Sequence, residues 1–525
     1  MRSGQKYRLL DEGSSVPEYD IPFGNLYETL FATAYDFPDK IGLIDAERAI
    51  TYHEFLWETD RFSSYLYNCL GIRKGDRVAM LMVNSIEFCV TFYAILKIGA
   101  IVVPINTKLS QDEVCFEVLD SGCRFVVSDS MWKDKFAPAR ESLSGVVYSD
   151  SGYLDALSRG NEFAQAAPVS CRDDVAVIMY TSGTTGRPKG ACLTHWNLMQ
   201  GFYSYAVADD MDGSETTVVA VPLFHITGLN NLMTLFVFLG GTMYLVPFFD
   251  SAKVLSLMTE SKCSYFHAVA TVYIMLAGAM DGHYDLSSLR DALCGGGFIP
   301  KESIERFCRY APNCRFHPVY GMTETAGTGT YFRGHCQDYP KADSCGQPAA
   351  NCSMRIVDDD GVELPPGKDG EICFKGPFII DRYLGNREES TFSNGWMHSG
   401  DIGHFDTDGY LYITDRKKDM INRGGEKIFS LYVESVIMGY PGIRQACVFA
   451  VRDDKYMEVP GAVLIPESGA SPDLGELREY LRKHMAHYKV PVYMEIRGEV
   501  PVTANGKPRK AELRRQFNEK YGSKH

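Results

Sequence analysis

Tyr180-Thr-Ser-Gly-Thr-Thr-Gly-Arg-Pro-Lys-Gly190 follows an apolar run, Val175 to Met179, and crowds glycines, hydroxyls and one lysine into a short loop. Glycines let backbone N–H groups close around an anion. Hydroxyls donate further hydrogen bonds, and a lysine adds charge. A buried strand that opens into such a loop predicts a cradle for a polyphosphate. It is not the loop of P-loop nucleotidases, which needs G-x-x-x-x-G-K-[ST]. Here Arg187 and Pro188 separate Gly186 from Lys189, and Gly190 follows. The clusters Gly295-Gly-Gly297 and Gly327-Thr-Gly329 are likewise poor dinucleotide-binding fingerprints.

Toward the N-terminus the chain alternates strand and helix patterns. Val78 to Val83 is an apolar strand, Ile86 to Ile98 has helical spacing stopped by Gly99, and Ile101 to Ile105 is the next strand. That order predicts an α/β fold, with parallel or mixed sheets flanked by helices. Thr216 to Phe249 carries no Asp, Glu, Lys or Arg. Pro222, His225, Asn230, Asn231, Gly240, Gly241 and Pro247 interrupt it, so a buried core element is expected and no integral membrane span. Thr414 to Lys427 packs five consecutive charged residues, Asp415 to Asp419, ahead of Gly424-Gly425, as at a domain boundary. Residues 1–20 are read as a polar arm, 21–416 as a large domain and 417–525 as a small α+β domain. In the small domain one helix is predicted with Ser471 as N-cap, Pro472 at its first position, and Leu474, Leu477, Leu481 and Met485 on one face.

The chain has 525 residues, with 53 basic against 67 acidic groups and a net charge of −14, which argues against a nucleic-acid partner. Its 15 cysteines include no close pair of the kind that binds zinc. Reduced, mostly buried thiols and a cytoplasmic location are expected. No apolar stretch follows the basic residues at the start, so no secretory leader is expected.

Further blocks follow in order: Leu96-Lys-Ile-Gly-Ala100, Pro222-Leu-Phe-His225, Tyr320-Gly-Met-Thr-Glu324, Gly370-Glu-Ile-Cys373, His398-Ser-Gly-Asp401, Asp415-Arg-Lys-Lys-Asp419 and Asn505-Gly-Lys507. With Tyr180–Gly190, these resemble the adenylate-forming (AMP-binding) superfamily of acyl-CoA synthetases, carrier-protein adenylation domains and beetle luciferases. The resemblance covers nearly the whole chain. It implies a large domain joined to a small mobile C-terminal one, and the reaction of a carboxylic acid with ATP, Mg²⁺ and coenzyme A.

The resemblance also implies roles. Thr181, Ser182, Gly183, Thr184, Thr185, Gly186 and Lys189 would hold the ATP phosphates, with Thr184 and Lys189 aiding catalysis. Glu324 would bind the metal, a hard oxygen for a hard cation. Tyr320 would stack on adenine beside Gly321, Met322 and Thr323, and Gly295, Gly296 and Gly297 would let the backbone approach. Asp401 would take both ribose hydroxyls with its two oxygens, helped by Arg416. Lys507 would be the principal catalytic residue, bridging substrate carboxylate and α-phosphate during adenylation. Phe224, His225, Asn230, His267, Thr271, Gly297, Met322 and Ala326 would line the acyl pocket, with His225 beside the carboxylate. Lys418 would be the hinge, and Gly424, Gly425 and Glu426 would face coenzyme A.

The chain departs from the family pattern where an aromatic–Pro–x–Glu–Val–Glu run is usual. It has Phe429-Ser-Leu-Tyr-Val-Glu434, so a proline becomes Ser430 and a glutamate Tyr432. Losing proline is expected to loosen the turn. The acyl wall carries Val269-Ala-Thr271 where Val-Pro-Thr is usual. The expected activity is acid + ATP + CoA → acyl-CoA + AMP + diphosphate. The glycines and small residues of the pocket favour an aliphatic or fatty acid. An aryl acid, or delivery of the acyl group to a carrier protein, is the alternative.

Overall fold

A computed structural model describes residues 8–10, 16–160, 170–181, 188–297, 299, 301–332, 341, 343–386, 391–502 and 507–522. The chain forms two compact units: residues 1–354 with 374–397, and residues 355–373 with 398–525.

In the first unit a six-stranded sheet has the order Lys189–Thr194, Val175–Thr181, Ile101–Pro104, Arg77–Leu81, Phe125–Ser128, Gly145–Tyr148. All its pairs are parallel except the edge pair formed by Lys189–Thr194 and Val175–Thr181. The parallel order follows from the crossover helices. Ser85 accepts a hydrogen bond from the Phe88 N–H and starts the helix Ile86–Lys97, and Gly99 leaves it at φ +74°. A second sheet runs parallel through Tyr265–Val269, Asp291–Gly295 and Arg315–Tyr320, then turns antiparallel into Thr330–Tyr331 and Gln347–Pro348. Its C-terminal edge carries Gly295 and Tyr320. A third sheet joins Thr216–Val219, Thr242–Leu245, Ile41–Ile44 and Ala49–Thr51.

The charge-free stretch is split between strands Thr216–Val219 and Thr242–Leu245 and the helical run between them, Ile226 to Leu239. That run includes a π-helical segment, Leu229–Thr234, and ends at Gly240 with φ +82°. Its length of ~21 Å is short of a bilayer core. No helix among the described residues is long and apolar enough to cross a membrane.

In the second unit, residues 401–405 of the strand Trp396–Phe405 pair with Leu411–Arg416, and the Gly367 N–H donates to the Phe405 carbonyl at 2.8 Å. A five-stranded sheet follows, in which the edge strand Ile443–Asp453 and its neighbour Met457–Pro466 form the longest pair. Alternate residues face opposite sides of that pair. Val448 and Ala450 pack with Ile437, Leu477 and Leu481 on one side. Phe449 and Val451 pack with Leu513 and Phe517 on the other. The helices Ser430–Met438 and Leu474–His484 cover the first face, and Lys510–Tyr521 covers the second.

One local expectation is corrected here. The helix begins at Leu474, two residues later than a Ser471 cap would set it. Asp473 is the N-cap, accepting from the N–H groups of Gly475 at 2.7 Å and Glu476 at 2.9 Å. Pro472 therefore precedes the helix, and Met485 is its extended C-cap residue. A carboxylate that satisfies two end N–H groups outcompetes a serine hydroxyl two residues earlier. Asp473→Ala is expected to lower stability by about 1 kcal/mol, and urea unfolding of the two proteins measures it. The described cysteines are all free thiols.

Candidate active site

Within the first unit, strand Val175–Thr181 delivers the chain to the glycine-rich loop that is expected from the sequence to hold phosphates. At its end Tyr180 turns its hydroxyl to Asp120 Oδ2 at 2.7 Å, which anchors the loop's first residue. Thr181 Oγ1 donates to Glu324 Oε1 at 3.2 Å, and the Tyr383 hydroxyl donates to the same oxygen at 2.9 Å. Burial first, and then the charge of Glu324, push the Tyr383 phenol far above its usual range, so it stays a donor. Glu324 is also held by its backbone, its carbonyl accepting from the Ile380 N–H at 3.0 Å. Lys189 stands opposite Thr181 in the antiparallel pair, buried, with Nζ 5.6 Å from the centre of the Tyr383 ring. Ser182, Gly183, Thr184, Thr185 and Gly186 lie outside the described residues.

Glu324 is presented by a tight turn. The Met322 N–H donates to Thr325 Oγ1, Thr323–Thr325 makes one 3-10 turn, and Ala326 and Gly327 follow at φ +51° and +82°. Gly321 permits the closure, because a Cβ there would lie 2.8 Å from the Gly327 carbonyl group. Tyr320 precedes the turn, largely buried, its ring 5.5 Å from that of Phe374 at 40°. Beside it Gly295 ends its strand, Gly296 has φ +77°, and a Cβ on Gly297 would meet nothing within 4 Å. The glycine cluster thus leaves open space against the C-terminal edge of a parallel sheet, where ligands of such sheets bind.

The expected acyl-side residues are placed unevenly. Phe224 and His225 meet edge to face with ring centres 4.7 Å apart at the start of the helical run. Asn230 is fully buried. Its amide donates to the carbonyls of Leu198 at 3.2 Å and Ala326 at 2.9 Å, and its Oδ1 accepts from Thr234 at 2.8 Å. It therefore fixes the position of Ala326. His267 is buried in its strand, and burial pushes its imidazole down to about 3, so the ring is neutral. Thr271 is exposed at the first turn of helix Ala270–Ala279.

The second unit holds the remaining candidates. Asp401 and Arg416 are paired across the two strands, Arg416 Nε lying 3.6 Å from Asp401. Lys417 Nζ bonds Glu371 at 3.0 Å, and Lys418 is exposed in the turn that follows. Gly424 and Gly425, at φ +61° and +98°, form the two-residue tip of a hairpin between Ile421–Arg423 and Glu426–Ile428. A tip with positive φ at both residues matches strand twist and takes glycine without strain. Glu426 is exposed beside it. Lys507 is exposed next to a loop base closed by the Val502–Pro508 bridge and the Arg509 N–H to Pro501 carbonyl bond at 2.8 Å.

The Ser430 departure does not loosen the turn. The Ser430 N–H donates to Asp415 Oδ2 and its hydroxyl donates to Asp415 Oδ1 at 2.9 Å. Proline could supply neither donor. Lys510 Nζ then donates to Ser430 Oγ at 2.7 Å and pairs with Glu434 at 2.8 Å. Tyr432 is partly exposed, with Lys489 Nζ 4.7 Å from its ring centre.

Among the described residues one other group has metal-ligand spacing: Asp209, Asp291 and His317, all buried. Arg290 and Arg315 already pair with Asp291, and Tyr331 donates its hydroxyl to Asp209. The cluster is an internal ion-pair network. Glu324 instead offers a hard carboxylate oxygen among hydroxyl groups, a donor set that fits Mg²⁺.

The family model for AMP-binding enzymes matches residues 30–384, and that for the AMP-binding enzyme C-terminal domain matches 432–507. A feruloyl-CoA synthase from an Amycolatopsis species is 36% identical over 89% of this chain and 94% of its own length. The long-chain-fatty-acid–CoA ligase FadD13 of Mycobacterium tuberculosis is 34% identical over 86% of this chain and 90% of its own. The solved O-succinylbenzoate coenzyme A synthetase (MenE) of Bacillus subtilis, in complex with ATP and magnesium ion, superposes with a TM-score of 0.83. It is 30% identical, over 93% of this chain and 99% of that one. The chain belongs to the AMP-binding enzyme family. Within it the chain is an AMP-forming acyl- or aryl-CoA ligase, with ATP, Mg²⁺ and coenzyme A as its cofactors.

Proposed function

We propose that this ligase activates a carboxylic acid as acyl-AMP at the Thr181–Glu324–Tyr383 corner and passes the acyl group to coenzyme A. The observation that carries the reading is the half-buried clasp on Glu324, where two hydroxyls from separate elements aim one carboxylate at the end of the phosphate-loop strand. A substrate carboxylate oxygen bonds to the α-phosphorus of ATP, and the bond from that phosphorus to the bridging oxygen breaks, releasing diphosphate. The coenzyme A thiol, losing its proton, then displaces AMP from the acyl carbon. Glu324 would hold Mg²⁺, which supplies positive charge between two anions that must meet. Lys189 and the loop 182–186 hold the triphosphate, and Asp401 with Arg416 takes the ribose. Lys507 lies against the carboxylate and α-phosphate in the first step.

In this reading segment 417–525 turns about Lys418 between the steps, bringing Gly424, Gly425 and Glu426 to the thiol. His225 stands beside the reacting carboxylate. The acyl chain, aliphatic or aryl, enters past Gly297 and reaches inward along Val269 and His267. Coenzyme A is preferred over a carrier protein as the acceptor because the relatives above are CoA ligases. Use of ATP and coenzyme A fits work in the cytoplasm.

Diphosphate release over a panel of aliphatic, aryl and hydroxylated acids, with and without coenzyme A, tests the reading. Formation of ADP and phosphate in place of AMP would remove it. Glu324→Gln keeps the shape and the hydrogen bonds but removes the charge. It is expected to lower turnover at limiting Mg²⁺ by ~10²-fold, with partial recovery at high Mg²⁺. Unchanged turnover at limiting Mg²⁺ would remove Glu324 as the metal ligand.

A further inference from the structure

Inward of the glycine cluster, three buried polar atoms have no hydrogen-bond partner among the described residues: Asn231 Oδ1, His267 Nδ1 and the Tyr265 hydroxyl. They share one neighbourhood. The Tyr205 hydroxyl donates to the Gly327 carbonyl at 2.9 Å, and Asn231 Nδ2 donates to the same oxygen at 3.0 Å. The His267 ring meets the Tyr205 ring edge to face at 5.5 Å. Tyr265 and His267 are alternate residues of one strand and so share its face.

The register gives the depth. Val269 lies opposite Gly295, and His267 opposite Leu293. His267 is therefore ~7 Å further in than Val269, and Tyr265 a similar step beyond. Val269 borders the glycine cluster, since a Cβ on Gly296 would lie 3.3 Å from Val269 Cγ1. The row Val269, His267, Tyr265 thus leads inward from the open side of Gly297.

The chemistry at the inner end is specific. The Gly327 carbonyl can only accept, so the Asn231 nitrogen must face it and Oδ1 is left as an acceptor pointing elsewhere. A buried polar atom with no partner costs ~1–3 kcal/mol, so three together call for something that hydrogen-bonds to them. None of the three is a cation, and burial keeps His267 neutral. A carboxylate at this end would meet an acceptor oxygen and no positive charge. An alkyl end would leave the polar atoms unpaired.

We propose that Asn231, with His267 and Tyr265, forms the far end of the acyl pocket and selects an acid carrying an uncharged hydrogen-bond donor there, a hydroxyl being the simplest. This rests on the acid–CoA ligase reading above and narrows it: the expected preference for a plain aliphatic acid gives way to a hydroxylated one, aryl or aliphatic. Asn231 becomes a specificity-determining residue.

The test compares kcat/KM for AMP formation within shape-matched pairs, para-hydroxycinnamate against para-methylcinnamate and ω-hydroxydecanoate against undecanoate. Taking the ratio within each protein cancels any loss of folded enzyme. The hydroxyl member is expected to win by ~10²-fold in at least one pair, and Asn231→Leu is expected to bring that ratio to within ~3-fold of unity. Equal or better use of the methyl member in both pairs overturns the proposal. So does a ratio that Asn231→Leu leaves unchanged, which would assign the amide oxygen to bound water. Absence of AMP with every acid of the broad panel overturns the ligase reading itself, and this inference with it.

Discussion

Lys507→Ala is expected to lower the rate of acyl-AMP formation by ~10²–10³-fold or more while leaving thioester formation from supplied acyl-AMP within a few-fold. The asymmetry follows from where charge develops. In adenylation a carboxylate approaches a triphosphate, and negative charge accumulates on the transferring phosphoryl group. An ammonium placed there acts mainly on the transition state, so its loss falls on turnover more than on substrate binding. In the thioester step AMP departs and no such concentration of charge forms, so the same side chain has little to do. Lys507 is exposed at the rim of its loop, and truncation there is expected to change stability by less than ~0.5 kcal/mol. The rate change then reports chemistry. Diphosphate release measures the first step, and acyl-CoA formed from synthetic acyl-AMP measures the second. Equal loss in both would remove the separate roles of the two conformations.

How far the sequence could be read depended on whether the determining interactions are local. The helix Ile86–Lys97 was legible because its cap Ser85 and its stop Gly99 are neighbours of the residues they act on. The strand Val175–Thr181 was legible because its apolar run is contiguous in the sequence. The Asp473 cap was misassigned because Ser471-Pro-Asp473 offers two capping side chains, and only the three-dimensional reach of Asp473 to two N–H groups decides between them. Tyr383 was missed altogether. Its contact with Glu324 spans 59 positions and has no motif. Asn231 was missed beside Asn230. Two adjacent amides look alike in sequence, and the π-helical segment determines which is internally satisfied and which keeps an open oxygen. Ser430 was read for the restraint lost with proline. The two donors it gained became visible only with Asp415 placed against it.

That same junction carries the largest expected loss of stability. Lys510→Met keeps the length and apolar stem of the side chain but removes the ammonium that lies between Glu434 and Ser430. Burial on its own would lower the Lys510 pKa. The charges of Glu434 and Asp419 outweigh it and hold the amine above its usual range, so it is a cation in the folded protein. Without it Glu434 and Asp415, both buried, face each other with only neutral donors: the Val448 N–H at 2.8 Å for Glu434, and the Arg416 N–H at 2.8 Å with the two Ser430 groups for Asp415. Leaving a buried charge without its partner costs ~3–5 kcal/mol. For a unit of this size that is a fall in melting temperature on the order of 10 °C. Lys510→Arg should recover part of the loss by restoring the charge. Calorimetry of the full chain, following the transition of the second unit, measures all three proteins. A Lys510→Met transition within ~2 °C of the parent would show that the carboxylates take up protons or water at little cost. The ammonium would then be incidental to holding Asp415, and through it the strand that precedes Lys418, against the helix Ser430–Met438.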